Sequence, residues 1–336
     1  MSRAASLRLL MGMFLLVLAL VLAGCGGGQK QEGGGGGSGD IAIEGSSTVL
    51  PITQAAAEAF NRQNRDVRIT VGGAGTGDGF EAFCSGETQI SDASRPIRDE
   101  ETRTCEENGI EFIELPVALD ALSVVVNSQN NFADSITMEE LRTLWEPAAE
   151  GQITTWNQVR SSWPNQQINL YGPGTQSGTF DFFTERVNGE EDESRSDYQA
   201  SEDDNVLVQG VAGDPNALGY FGFGYFEENQ NRLKALPVDG VAPGAQTAQS
   251  GEYPLARPLF IYVNREDLDQ QQELQDFVSF YLDNLNQVVE QARFVPLSES
   301  ALQEARERFN NRTTGTAPED ALGAEQKGKG KEEEKS

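Results

Sequence analysis

The residues best placed to do chemistry lie in three short turns: Gly45-Ser46-Ser47-Thr48, Gly75-Thr76-Gly77-Asp78 and Gln176-Ser177-Gly178-Thr179. Each follows a strand-like segment and opens a predicted helix. A helix start carries unpaired N–H groups and the positive end of the helix dipole, which together hold an anion. Hydroxyls beside those amides add donors without adding charge. Taken singly, Ser46-Ser47-Thr48 before Pro51 reads first as a helix cap. The glycines around Thr76 serve either a turn needing positive φ or a close backbone approach to a ligand. Ser177-Gly178-Thr179 reads equally as cap or ligand turn. Converging, the three would enclose one oxyanion. Arg95, in Ser94-Arg95-Pro96, is either a surface arginine pairing with Asp99 or a fixed cation that meets a dianion bidentately.

Absent residue types narrow the chemistry further. The chain has no histidine, which excludes Ser-His-Asp catalysis and His-ligated metal sites. It has no Gly-Lys-Ser or Gly-Lys-Thr, and the glycines from Gly73 to Gly79 miss the G-x-G-x-x-G spacing. Nothing marks two carboxylates as a glycosidase pair, and no cofactor motif stands out. The 336 residues include 25 basic and 53 acidic side chains, a net charge of −28. That balance argues against nucleic acid or an anionic membrane surface as partner. It does not argue against a buried anion, because charge fields are screened within about 8 to 10 Å at physiological salt.

The ends of the chain predict where it works. Arg3 and Arg8 precede an apolar run of 14 residues, Leu9 to Leu22. This run is shorter than the roughly 18 to 20 residues of a spanning helix and fits a secretory signal peptide over residues 1–24. Leu22-Ala23-Gly24-Cys25 matches the lipobox of bacterial lipoproteins, which implies cleavage before Cys25 and lipid on that cysteine. Losing Arg3 and Arg8 leaves 23 basic against 53 acidic residues, a net of −30. Residues 25–39 are mostly glycine and read as a flexible tether. Residues 313–336, rich in Gly, Ala, Lys and Glu, read as a disordered tail. Cys84 and Cys105 read as a disulfide in an exported protein, with a reactive or metal-binding pair as the alternative.

Between these ends, strands alternate with helices. Strands are expected at Ile41–Glu44, Val67–Val71, Ile110–Leu115, Leu122–Asn127, Ile168–Tyr171, Tyr220–Phe223, Leu233–Val238 and Leu259–Val263. Helices are expected at Pro51–Asn61, from the Gly-rich turn to Cys84, after the Thr137/Glu140 capping box to Trp145, and at Thr179–Val187 and Asp203–Val211. Two more close the chain near Glu273–Asn284 and Ser298–Asn310. The alternation indicates an α/β fold with largely parallel sheets, in which ligands sit where strands end and helices begin.

The order and spacing of these segments resemble the phosphate-binding lipoproteins of bacterial ABC uptake systems, the PstS-type members of the periplasmic-binding-protein superfamily. The match runs through Ile43–Pro51, Gly75-Thr76-Gly77, Ser91–Pro96, Ser177-Gly178-Thr179 and Arg257–Asn264. The resemblance implies a two-lobed fold of type II, each lobe a mixed, largely parallel sheet flanked by helices, joined by two crossover strands. Lobe I would hold residues 40–120 and 255–312, and lobe II residues 121–254. It implies a monomeric, non-enzymatic protein, lipid-anchored on the extracytoplasmic face, that captures inorganic phosphate by hinge closure and delivers it to ABC permease subunits. The same fold binding sulfate, molybdate or tungstate is the alternative. Ligand contacts carry over to Ser47, Thr48, the Val49 amide, Thr76, the Ser94 position, Ser177, Gly178 and Thr179. Two positions depart from the pattern. Pro173 stands where many relatives have an arginine, and Ser94 where many have an aspartate that accepts the phosphate proton. Arg95 is the expected substitute cation, and the acceptor role is expected either at Asp78 or Asp92 or to be absent.

Overall fold

The computed structural model describes residues 39–318. The signal peptide, Cys25, nearly all of the tether and residues 319–336 lie outside the described residues. The strands are β1 (Asp40–Gly45), β2 (Arg68–Val71), β3 (Ile90–Ala93), β4 (Phe112–Asn127), β5 (Asn169–Pro173), β6 (Gln199–Ser201), β7 (Ala217–Gly222), β8 (Leu233–Ala235) and β9 (Ala256–Asn264). The helices are α1 (Leu50–Asn61), α2 (Thr76–Cys84), α3 (Asp99–Glu107), α4 (Met138–Trp145), α5 (Trp156–Val159), α6 (Gly178–Asn188) and α7 (Asp204–Gly213). They continue with α8 (Phe223–Glu227), α9 (Ala245–Gln249), α10 (Arg265–Gln270), α11 (Gln272–Asp283), α12 (Leu285–Gln291) and α13 (Glu299–Asn311).

The strand order is β2-β1-β3-β9-β4-β7-β5-β6, with β8 also on β4. This is the expected two-lobed α/β architecture. The outer strands of each lobe pair in parallel, β2-β1-β3 in one and β7-β5-β6 in the other. The two long strands β4 and β9 run antiparallel to each other and to their neighbours. Two predicted strands, Ile110–Leu115 and Leu122–Asn127, prove to be parts of one strand, β4, with a register shift between Pro116 and Ala118. Every one of its residues is buried, because its first half pairs with β9 inside one sheet and its second half with β7 and β8 inside the other.

Side chains alternate across these strands and so feed separate cores. On the first sheet, Ile41, Ile113, Leu115, Ile261 and Val263 pack under α1, α11, α12 and α13. Phe112, Phe260 and Tyr262 face the other way, onto Phe80 and Phe83 of α2. On the second, Leu122, Val124, Leu218 and Tyr220 pack with Trp145 and Phe183, while Val125 and Phe221 pack with Leu207 and Val211 of α7. The Cys84–Cys105 disulfide is formed and ties α2 to α3. Closing a loop of about 20 residues contributes about 3 kcal/mol.

The expected tail loses its first residues to the fold. Gly315 pairs with Ile113, its amide donating to Phe112 O at 2.8 Å, and the Ala317 amide donates to Glu114 Oε1 at 2.9 Å. Residues 313–318 are thus held as a short strap on β4. The cause is Glu114, a buried carboxylate that must be paired and finds Ala317, Tyr262 and a charged Arg308 beside it.

Candidate functional site

A cavity of about 290 Å³ opens where three parallel strands end and their helices begin. Its first wall is uncharged turn: Ser46, Ser47 and Thr48 after β1, and Ala74 to Gly77 after β2, with Asp78 following. Ser94, Arg95 and Arg98 after β3 complete it. Asp181 and Glu185 of α6, with Glu191 beyond it, form the facing wall, and Arg257 at the start of β9 completes the lining.

Local sequence explains why donors point inward on the first wall. Pro51 sits in the first turn of α1, and Val49 precedes that helix without a side-chain cap. Gly75 precedes α2 at φ 121°, also uncapped, a geometry open to glycine and costly for any other residue. α2 therefore keeps first-turn amides that no side chain satisfies, whereas in α1 Pro51 has no N–H and the Leu50 and Ile52 amides donate to Ser46 O and Val49 O. The Thr76 hydroxyl lies 3.0 Å from Ser94 Oγ and accepts the Ser94 amide at 3.2 Å, so the β2 and β3 turns are locked together. Ser46 Oγ accepts the Thr48 amide at 3.2 Å.

Of the residues expected from sequence, Ser47, Thr48, Thr76, Asp78, Ser94 and Arg95 share this cavity. Ser177, Gly178, Thr179 and Val49 do not line it. Ser177 Oγ accepts the Thr179 amide at 3.2 Å, so that hydroxyl and that amide are spent on capping α6. Val49 is fully buried. Gly178 nevertheless abuts the wall, since a Cβ there would overlap Thr48 Oγ1.

Two expectations about charge need correction. Arg95 pairs not with Asp99 but with Glu101, through bonds of 2.8 and 2.7 Å, so its charge is already met. Asp92 is not a pocket residue. It is completely buried, its Oδ1 accepts from Thr53 Oγ1 at 3.0 Å, and Tyr281 closes the group at 3.2 Å from Thr53. Burial pushes its carboxyl up to about 8, partly offset by the Thr53 bond, so it is protonated at neutral pH.

Sequence reasoning passed over Arg257. Its Nη2 donates to Thr48 Oγ1 at 3.2 Å and to Gly178 O at 2.9 Å, and its guanidinium stacks on Phe182 at 4.3 Å. Its Nε donates to Asp120 Oδ2 at 3.3 Å, and the two residues are direct cross-strand partners on β9 and β4. Burial raises the Asp120 carboxyl and Arg257 opposes that rise. One cation thus touches both long strands, the β1 turn and the start of α6. A signal was present: Asp120 and Arg257 are opposite charges within two largely apolar strands, and buried charges need partners.

Asp181 is the half-buried carboxyl of the facing wall. Its proton affinity is pushed up to about 6, first by burial and then by Glu191 and Asp192, against the pull of Arg257. Among the described residues, no group of three or more metal-ligating side chains is placed to hold an ion, and no helix is long and apolar enough to cross a membrane. The arrangement suits a small oxyanion held by amides, hydroxyls and a fixed guanidinium.

A model of the PBP superfamily domain matches residues 30–284. Protein SphX of Synechocystis is 48% identical over 281 residues, covering 82% of this chain and 84% of its own. The phosphate-binding protein PstS of Staphylococcus saprophyticus is 37% identical over 278 residues, covering 81% and 85%. A crystal structure from Planctomyces limnophilus, described as a possible phosphate binding protein, superposes with a TM-score of 0.77. It is 42% identical and covers 82% of this chain and 99% of that one.

Proposed function

The chain belongs to the periplasmic-binding-protein superfamily, as a PstS-type member, and we propose that it captures inorganic phosphate outside the cytoplasm for the permease of an ABC importer. The observation that carries this reading is the single cavity that gathers the Ser47, Thr48, Thr76 and Ser94 side chains, the uncapped start of α2 and Arg257. No bond is made or broken. Hydroxyls and amides replace the hydration shell of the anion, and Arg257 meets its charge without leaving Asp120 unpaired.

Hinge closure completes the site. Gly178 has no side chain to hold α6 away from Thr48, so the start of α6 already lies against the first wall and offers its amide to the ligand while the rest of the facing wall moves in. Phosphate bridges both lobes, binds the closed form more tightly and shifts the population toward it. The permease reads the closed shape. Lipid on Cys25 keeps the monomeric body at the extracytoplasmic face of the membrane.

Calorimetry on the mature chain with phosphate, sulfate, molybdate and tungstate tests the assignment. Phosphate is expected to bind at one site per chain, at least a hundredfold tighter than the others. Sulfate or molybdate binding as tightly would assign the site to another oxyanion, and no saturable binding would remove the transport role.

A further inference from the structure

The β2 turn has to present Thr76 and the first amides of α2 to the cavity, yet little holds it. Of Gly72, Gly73, Ala74 and Gly75, three are glycines and the fourth is exposed. None has a side chain that can anchor the turn, and glycine has the most backbone freedom to lose on being ordered. Backbone bonds fix the two ends. The Gly72 amide donates to Ile43 O at 2.9 Å, and the Gly75 amide to Gly45 O at 2.8 Å. Between them stands Glu44, the residue of β1 that precedes Gly45. Its Oε1 accepts the Ala74 amide at 2.8 Å and the Gly45 amide at 3.2 Å. The bond to Ala74 is the one side-chain hydrogen bond to this turn among the described residues.

The glycines make room for that carboxylate. A Cβ on Gly72 would overlap Glu44 Oε2 and come within 2.6 Å of the carboxyl carbon, so any side chain there would expel Glu44. Gly73 lies as tightly on α1, where a Cβ would come within 2.9 Å of Leu50 Cδ2. Glu44 itself is half-buried and does not line the cavity, whereas Ala74 does.

We propose that Glu44 is a positioning residue of the anion site: it clamps the Ala74 amide so that the β2 turn delivers Thr76 and the first amides of α2 to the ligand. This rests on the phosphate reading above. With the clamp in place the anion meets an ordered turn. Without it, ordering three glycines is charged against binding. A carboxylate one residue behind an anion cavity opposes binding by its charge, so the two roles it could play have opposite signs. Loss of a clamp weakens phosphate; loss of a bare charge tightens it.

The test is calorimetric titration with inorganic phosphate, on the mature chain and its variants, beside thermal melts of each unliganded protein. Glu44→Ala should weaken phosphate about tenfold. Glu44→Gln keeps the Oε1 acceptor and removes the charge, and should recover most of that loss. Gly72→Ala displaces the carboxylate but leaves it in the chain, and should weaken phosphate by a similar factor. Combined with Glu44→Ala it should cost nothing further, because both changes remove one and the same contact. Tighter binding in both Glu44 variants would make Glu44 a charge alone and overturn the inference. Unchanged affinity in Glu44→Ala, whatever its melting temperature, overturns it too. So does a loss in Glu44→Gln as large as in Glu44→Ala, or losses that multiply in the double variant. Should Glu44→Ala fail to fold, unchanged affinity in Gly72→Ala overturns it alone. Each of these leaves the phosphate reading standing. Absence of phosphate binding by the unaltered chain sinks that reading and this inference with it.

Discussion

At Gly75-Thr76-Gly77 the residue before the helix is a glycine, no side chain caps α2, and the Thr76 hydroxyl crosses to Ser94. At Ser177-Gly178-Thr179 the residue before the helix is a serine, and its hydroxyl turns back to the Thr179 amide. The two turns are nearly identical in composition, yet one lines the cavity and the other only borders it. The N-cap residue makes the difference. A serine there spends its hydroxyl and an amide on the helix, whereas a glycine has no side chain to cap with and leaves the first amides to the pocket. Arg257 ties the second of these turns to the β1 turn, holding Gly178 on one side and Thr48 on the other.

Removing that shared cation should have the largest effect. Arg257→Ala leaves Asp120 buried without a partner, so urea denaturation should show a loss of about 3 to 5 kcal/mol. Phosphate binding should disappear with it. The paired change Arg257→Met with Asp120→Leu should recover most of the stability and none of the binding. Recovery of both would mean that Arg257 is only structural.

Gly178→Ala acts on the bordering turn. The new Cβ would overlap Thr48 Oγ1 and lie 3.2 Å from the Thr48 amide, so α6 must back away from the first wall. Phosphate affinity should fall at least tenfold, as equilibrium dialysis would show. Unchanged affinity would mean that α6 never closes onto the site.

The smallest effects separate donor from cap. Thr76→Val should weaken phosphate about tenfold, the worth of about one hydrogen bond to a charged group. Ser177→Ala should instead cost about 1 kcal/mol of stability through the lost cap, with affinity changed less than threefold. If the Ser177 variant lost affinity and the Thr76 variant did not, the contrast between the turns would be reversed.

Much of this was legible in the chain because local rules and tertiary needs agree. The helix after Pro51, the Thr137/Glu140 capping box and the parallel strands that feed the turns all formed as the pattern predicts. The Cys84–Cys105 bridge did too. What stayed hidden depended on partners far away in sequence. β3 is four residues, Ile-Ser-Asp-Ala, polar in composition yet wholly buried, because β1 and β9 flank it on both sides. α3 opens with Asp99, Glu100 and Glu101 and buries only Cys105, so it shows no apolar periodicity. Arg257 lies two residues ahead of the strand expected at Leu259–Val263, and its role shows only once Asp120 is placed opposite it. The strap at residues 313–318 looked like tail because the strand it is held on, Phe112 to Glu114, lies about two hundred residues earlier.

A crystal structure of the mature chain in saturating phosphate tests the central claim most directly. The account predicts one phosphate ion within hydrogen-bonding distance of Thr48, Thr76 and Ser94, contacted by Arg257 and by the Gly178 amide at the start of α6. An empty cavity at that concentration, or a phosphate bound away from these side chains, would contradict it.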